Sequence, residues 1–502
     1  MTDTFDVIIV GGGPVGVALG IELGLNNVKT LILEKHDAPL LSPRAQSLNE
    51  RSMELLMRWG VVEKMRDKVL FPTDYPMRGV WCSKLNGVTY ATASSQDHLA
   101  ENVAAQKSIR MPLYITETIL REKLASFDCV TFLKKQPVES VSIENDLAIV
   151  KTADNTYRAH YVVGCDGTNS ITRQSAHIHF QGLTPKRRVI NLLFQSPDLA
   201  DKITVEKGFL YYLLANETLT AMGPVNIQEG IWYAQIVYQG EDEAEKSIDD
   251  IDVDTLIETV SGVTFTKTIL NKHFWDMQIQ LAEHYTKSDR LFLAGDAAHA
   301  FAPTGGFGLN TALGDVTNLA WKLSAVIQKR SNKTLLETYE QERRPVAIRN
   351  LKAAEKNASD AIAVRTQFPP ATKPKEFAEE NARVAKQHSH SSGIALGYCY
   401  AASEPPMKQS EYTPTCKPGY FLPNAVINSL SIYEKLSPTH WTLMVCGKEK
   451  IKFQLPHLKI CHVPENTYPS RYILIRPDWH IALTLNVISE ALIKAGLEVK
   501  SI

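Results

Sequence analysis

Hydrophobic and polar positions divide the chain into short apolar runs separated by glycine-rich breaks. Phe5 to Val10 is an apolar run of strand length that breaks into Gly11-Gly12-Gly13-Pro14-Val15-Gly16, and Val17 to Leu25 continues as a helix. Thr30 to Leu33 reads as a second strand, with Glu34 at its end. Asn49 to Trp59, stopped by Gly60, and Thr116 to Leu124 have helical character, and Val130 to Leu133, Ala148 to Lys151 and Tyr157 to Val163 read as strands. From about 175 to 285 the pattern changes to runs expected to pair antiparallel: Val189 to Phe194, Phe209 to Leu214, Thr220 to Pro224 and Ile231 to Tyr238. Glu241 to Asp254 is acidic and reads as a solvated loop and helix start.

The stretch Leu291 to Asn310 is the one around which the chain is organised. Leu291 to Ala294 is strand-like, Gly295 and Asp296 end it, and a loop with Pro303, Gly305, Gly306 and Gly308 comes next. From Leu313 the apolar residues Val316, Ala320, Leu323 and Ile327 keep helical spacing. Tyr339 to Asn357 is a polar helical region with Pro345 as an interruption, and 366 to 420 reads as linker and loop. Beyond about 420, Thr442 to Cys446, Lys459 to Val463, Tyr472 to Ile475 and Ile481 to Leu485 predict strands, closed by a helix from Ile488 to Ala495. The resulting division is 1–175 with 286–365, an inserted unit 176–285, a linker 366–419 and a terminal unit 420–502. No internal repeat is present.

Composition narrows the function classes. The 502 residues suffice for two or three domains, and 44% hydrophobic with 22% charged is ordinary for a globular chain. A net charge of −1 gives no electrostatic grip on nucleic acid or an anionic membrane. No apolar run approaches the roughly 20 residues of a membrane span. The start, MTDTFDVIIVGGG, has neither a basic region nor a cleavage site, so a cytoplasmic location is expected. The 7 cysteines form no CxxC, which predicts reduced thiols and no metal site.

Gly11, Gly13 and Gly16 match GxGxxG between a strand and a helix, so a pyrophosphate is expected on the helix N-terminus. Glu34 is placed to accept ribose hydroxyls and disfavours a 2′-phosphate, which points to FAD or NAD in this site. Arg44, just after the nucleotide unit, is either a solvated charge or an anion contact. Val162 and Val163 lead into Gly164-Cys165-Asp166-Gly167, another strand ending at an acid and a glycine. Alone it is an ordinary turn. Asp296 is placed to hold sugar-like hydroxyls, and the glycines after it let a flat ring lie on the backbone. Tyr211, Tyr212, Trp232 and Tyr233 are each expected as core, or jointly as an aromatic wall. The His388 to His390 pair reads as linker rather than ligand.

These three markers in order, Gly11 to Gly16 with Glu34, Cys165-Asp166-Gly167, and Gly295-Asp296 with the loop to Asn310, closely resemble the single-component FAD-dependent aromatic hydroxylases of the p-hydroxybenzoate hydroxylase fold. The likeness covers residues 5 to about 350. Pro418-Gly419-Tyr420 and Arg476 to Ala482 resemble the thioredoxin-like tail of the phenol and polyketide hydroxylase branch, without its redox cysteines. The implied fold is α/β: a Rossmann-like FAD-binding domain with an inserted antiparallel-sheet substrate domain and a C-terminal thioredoxin-like domain. By the same resemblance, Gly11, Gly13, Gly16 and Glu34 hold the ADP half of non-covalent FAD, Arg44 lies near flavin or pyrophosphate, and Asp166 and Gly167 serve FAD and pyridine nucleotide. Asp296 holds the ribityl chain. Pro303, Gly306, Gly308, Leu309 and Asn310 run along the isoalloxazine, and Pro303, Gly305, Gly306, Tyr211 and Tyr233 form the candidate pocket. Glu117 matches a family glutamate, but no Gln stands among Leu113, Tyr114 and Ile115 before it. The implied activity is hydroxylation of a small aromatic substrate by O2 through a flavin C4a-hydroperoxide, with NADPH or NADH as co-substrate. Simple phenols, polyketides and antibiotics all fit, and a homodimer stays open. A flavin oxidase, dehydrogenase or halogenase, or a non-catalytic FAD-binding protein, are the alternatives. The halogenase motif WxWxIP is absent.

Overall fold

The computed structural model describes every residue except 1–3, 42–45, 69, 73, 95–98, 184–187, 215–218, 239–246 and 498–502. The first sheet is parallel at its centre, in the order Leu291–Leu293, Thr156–Gly164, Thr4–Val10, Thr30–Leu33, Val130–Leu133. Thr286–Lys287 adds an antiparallel edge, and Val138–Glu144 with Leu147–Thr152 form a meander on the first half of Thr156–Gly164. Val7, Ile8, Ile9, Leu31, Ile32, Val162, Val163 and Phe292 are buried almost without exception. A parallel sheet is covered on both faces, which is why these strands read as continuous apolar runs. Helices Pro14–Leu25 and Phe307–Ile327 pack against each other over it.

The second sheet has the order Thr268–Asp276, Arg188–Gln195, Ile231–Tyr238, Thr220–Asn226, Leu210–Leu213, Arg78–Cys82, Thr89–Ser94. Its last two strands come from the first 175 residues: Arg78–Cys82 pairs parallel with Leu210–Leu213. The sequence division placed them with the nucleotide unit, because sequence order does not reveal a return pairing across more than a hundred residues. One face of the sheet carries Ile190, Leu192, Tyr211 and Trp232 and is covered by the helix Val253–Ser261, through Ile257 and Val260. The other face carries Leu193, Val225 and Tyr233 and meets Tyr114 of the first unit.

Residues 366 to 420, read as linker, contain the helices Pro374–Ser389 and Ser392–Leu396. Phe377, Asn381 and Val384 form the buried stripe of the first, and Phe377 and Val384 pack on Ala91 and Val364. Three buried positions in a lysine- and glutamate-rich helix give little sequence contrast. Pro345 does not interrupt its helix, which runs from Thr338 to Gln367. The terminal unit is a four-stranded sheet in the order Leu458–Val463, Trp441–Cys446, Tyr472–Ile475, Ile481–Leu485, with only its first pair parallel. Helix Glu490–Leu497 sets Ile493 against Leu443 and Leu474, and no helix lies between Cys446 and Leu458.

The terminal unit docks through charge. Arg476 donates to Glu342 at 2.8 and 2.9 Å and to Asp478 at 3.0 and 2.5 Å, while Lys322 donates to Glu342 at 2.7 Å. All four side chains are almost fully buried. Burial alone raises the Glu342 carboxyl, but Arg476 and Lys322 outweigh it and hold it down at about 2. Its folded value is below that of the unfolded chain, so its stabilisation is complete above about pH 4.5 and is lost as pH falls toward 2. Glu342→Leu leaves two buried cations short of a partner and is expected to cost about 3–5 kcal/mol. Urea unfolding at pH 7 and pH 3 checks both: the gap between wild type and variant must be large at pH 7 and narrow at pH 3.

Candidate functional site

The parallel strands end in register, with Val10 opposite Leu33 and Gly164, and Gly164 opposite Leu293. The residues just beyond these ends, Gly11, Glu34, Cys165-Asp166 and Gly295-Asp296, are thereby gathered along one sheet edge although far apart in sequence. Ligands of open α/β sheets bind at this carboxyl edge.

The three fingerprint glycines do different work. A Cβ on Gly16 would lie 1.9 Å from the Gly11 carbonyl oxygen, and one on Gly11 would lie 2.5 Å from that of Cys165. Gly11 and Gly16 therefore permit close packing of strand, helix and the Asp166 turn. A Cβ on Gly13 would meet nothing within 4 Å. Gly13 is the N-cap of Pro14–Leu25, which has no capping side chain and no acid in its first turn. Free N–H groups and the positive end of the helix dipole thus face open space, as a pyrophosphate requires.

Glu34 is buried and accepts Gly12 N at 2.7 Å and His36 N at 2.7 Å, which orients its carboxylate beside the fingerprint. Arg121, not singled out in the sequence, donates to the Gly12 carbonyl at 3.0 Å, pairs with Glu117 at 2.6 Å and lies over the Phe132 ring. Its helical spacing from Glu117 was the available signal. Arg44 falls in 42–45, outside the described residues. Asp166 accepts Thr172 N and Oγ1 with one oxygen, both at 3.0 Å, while its Oδ1 is buried without a partner among the described residues. Burial raises its carboxyl, against hydrogen bonds from Ser170 and Thr172. A Cβ on Gly167 would meet open space.

The second helix N-terminus begins earlier than the apolar spacing indicated. Helix Phe307–Ile327 starts six residues before Leu313, so Gly308, Leu309 and Asn310 form its first turn and are not loop. Gly306 caps it in the left-handed region, φ 66, again without a capping side chain or a first-turn acid. Pro303, Gly305 and Gly306 are exposed. Cβ atoms placed on Gly306 and Gly308 would find nothing nearer than 3.9 Å, the surface a flat ring needs. Gly295 lies between the two helices, its Cβ position 3.1 Å from Val15 and 3.3 Å from Ala312. Exposed Asp296 comes directly after it and thus stands between the two helix N-termini. Asn310 has a supporting role: its amide oxygen accepts Asn49 N at 2.9 Å and Ser52 Oγ at 2.6 Å, and its amide nitrogen donates to Ser47 O at 3.0 Å and Gly306 O at 2.6 Å. With every amide position used, only its backbone faces a ligand.

Beneath Gly295 lies a cluster that sequence reasoning missed. Asp315 accepts His299 at 2.6 Å, Arg343 Nε at 2.8 Å and Gly295 N at 3.3 Å, all fully buried. Burial alone would raise the Asp315 carboxyl; His299 and Arg343 outweigh it and lower it.

Tyr211 does not join the pocket. Strand alternation turns it into the core under Val253–Ser261, where its hydroxyl accepts Gly208 N at 3.0 Å. Tyr212 and Tyr233 face the cleft side instead, with Trp81 stacked on Tyr212 at 4.9 Å. Burial pushes the Tyr212 hydroxyl up to about 12, so it is a neutral phenol near pH 7.

Residues 4–354 match the FAD binding domain family. The FAD-dependent monooxygenase apdD of Emericella nidulans is 26% identical, covering 94% of this chain and 87% of that one. The rifampicin monooxygenase of Streptomyces venezuelae is 32% identical over 68% of this chain and 69% of its own. Among solved structures, the rebeccamycin biosynthetic enzyme RebC with reduced flavin superposes with a TM-score of 0.86 at 24% identity, over 99% of each chain, a likeness of fold. The fit to FAD rests on this chain's own features: the open Gly13 cradle, the orphaned Asp166 oxygen and the bare first turn at Gly306.

Two substitutions separate a ligand contact from a packing contact. Gly13 has φ −72, which any residue adopts, and room for a side chain. Gly13→Val is expected to fold as well as wild type without flavin but to lose FAD affinity by about tenfold or more. Gly16→Val is expected not to fold. Thermal melts of flavin-free protein with and without added FAD make the distinction.

Proposed function

Because the chain belongs to the FAD binding domain family and is an FAD-dependent monooxygenase, we propose that it hydroxylates a phenolic or polyketide ring held between the Pro303–Asn310 turn and the Tyr212–Tyr233 sheet face, using NADPH or NADH and O2. The observation that carries this reading is the pair of uncapped helix N-termini, at Gly13 and Gly306, flanking Gly295-Asp296 on one sheet edge. FAD, when bound, supplies the electron transfer and the oxygen activation. The chain supplies the surroundings. Gly11, Gly13, Gly16 and Glu34 seat the ADP half, Asp166 and Asp296 take hydroxyls, and the first turn after Gly306 presents N–H groups to the electron-rich edge of the ring. Trp81, Tyr212 and Tyr233 give the opposite wall an apolar surface that excludes water, which protects a reactive oxygen species from wasteful decay. A single strand–glycine–helix fingerprint serves the cofactor, so the nicotinamide is expected to dock transiently rather than in a domain of its own.

Gly308→Val tests the ring surface. Gly308 lies within the helix, so the change crowds the ring without the backbone strain that any side chain suffers at Gly306. With rifampicin and simple phenols as probes under 18O2, the wild type is expected to transfer one labelled oxygen to product, with NAD(P)H oxidation accelerated by the substrate it accepts. The variant is expected to keep FAD, turn over more slowly and divert a larger share of NAD(P)H to H2O2. Product oxygen drawn from water, or peroxide without product across the panel, would overturn the reading.

A further inference from the structure

Among the described residues, one cation bridges the two walls of the cleft. Strand Ile109–Arg110 pairs antiparallel with Ser47–Leu48, the segment that Asn310 ties to the Gly306 turn. Arg110 therefore leaves the backbone next to the ring surface. Its guanidinium lies 4.4 Å from the centre of the Phe209 ring, and the polar groups acting on it are the phenols of Tyr233, Tyr212 and Tyr75. It thus reaches the cleft-facing side of the second sheet, the wall assigned above to the substrate.

Among the described residues nothing on that wall neutralises the charge. Gln46 accepts a hydrogen bond from one guanidinium nitrogen and the Tyr233 hydroxyl accepts another, and together they fix the side chain. Among the described residues no carboxylate pairs with Arg110, whereas buried Arg51, Arg343 and Arg476 each have one. Desolvation disfavours this charge and pulls its pKa down, with the tyrosines opposing. Arginine has five N–H donors in a planar fork suited to a pair of oxygens, so with Gln46 and Tyr233 served, donors remain for a ligand. A half-buried guanidinium with no carboxylate partner among the described residues, set among neutral phenols, is poorly placed as a strut and well placed as an anion site. The apolar rings around it would accept a planar substrate while its charge recognises one edge.

We propose that Arg110 is the substrate-binding cation of this site, and that the ring it binds carries an anionic oxygen group, either a carboxylate or an ionised enol. The proposal rests on the hydroxylase reading above. No sequence signal marks Arg110, which stands in a polar stretch before Met111 and Pro112 with no motif around it.

Matched probes test it on the FAD-loaded full chain. 1-Hydroxy-2-naphthoate is compared with its methyl ester, and 2-hydroxy-1,4-naphthoquinone with its O-methyl ether, by titration of the bound flavin's absorption spectrum. In wild type at least one anion is expected to bind about ten or more times tighter than its methylated twin. The first pair reports a carboxylate and the second an enolate. Arg110→Met is expected to abolish the preference with FAD content and melting temperature preserved, and Arg110→Lys to retain part of it. A purely structural role would lower FAD content or stability in Arg110→Met and leave any preference intact. Equal binding within both pairs, a preference that survives Arg110→Met, or no binding of any probe overturns the proposal. Protein that takes up no FAD at all would instead refute the hydroxylase reading.

Discussion

The carboxylate of Asp315 is held inside the protein by three groups from two places in the sequence: the Gly295 amide and the His299 ring of one turn, and the Arg343 guanidinium. Each contact fixes something the cleft needs. Gly295 N sets the turn that presents Asp296. His299, stacked on Phe301 at 4.8 Å, anchors the chain as it enters the Pro303 loop. Arg343 also donates to the Thr311 carbonyl at 2.9 Å, and its guanidinium packs so closely on the helix that a Cβ at Gly314 would lie 2.7 Å away. A buried charge without partners is expensive, so all four positions stand or fall together. The flat surface at Gly306 and Gly308 can be bare of side chains because the rigidity comes from beneath it.

Glu342 and Arg343 are neighbours, yet they serve different networks. Arg343 reaches Asp315 under the cleft, and Glu342 reaches Lys322 and Arg476 at the terminal unit. Two buried ionic anchors within one turn over-determine the helix where Pro345 removes a backbone donor, so the helix passes through it. The terminal unit is thereby keyed, through Lys322, to the helix Phe307–Ile327 that begins at Gly306. Arg343 also lies 3.3 Å from the Tyr400 hydroxyl, and Tyr400 stacks on His480 at 4.1 Å, so the two networks touch.

Legibility in the sequence tracks distance along the chain. The placement of the glycine fingerprint, Glu34, Asp166-Gly167 and Gly295-Asp296 at strand ends was legible because each motif is local, a strand end joined at once to its turn. Strands such as Ile231–Tyr238 were legible through their apolar runs. Arg110 and the Asp315 cluster were not, since each acquires meaning only from a residue brought close by folding, and Arg121 showed only its helical spacing from Glu117. Tyr211 illustrates the limit from the other side. A pair of adjacent tyrosines in a strand must face opposite ways, but only the packed sheet says that Tyr212 is the one toward the cleft. The helix start at Phe307 was hidden because glycine and asparagine in its first turn carry no apolar spacing. Helix Pro374–Ser389 was hidden by a face too narrow to register.

The parallel pairing of Leu210–Leu213 with Arg78–Cys82 has a consequence for how such enzymes diversify. The wall proposed for the substrate is not a contiguous cassette. Exchange of residues 188–276 between relatives would carry over Tyr212 and Tyr233 but leave behind Trp81, which stacks on Tyr212, and Arg110. A hybrid made with one crossover at each end would join most of that sheet face from one parent to the edge strands and Arg110 of another. Recombination must therefore inherit two separated segments at once, whereas point substitution at either segment alone keeps the sheet intact. In this architecture new substrate preferences are more accessible by mutation in place than by exchange of domains.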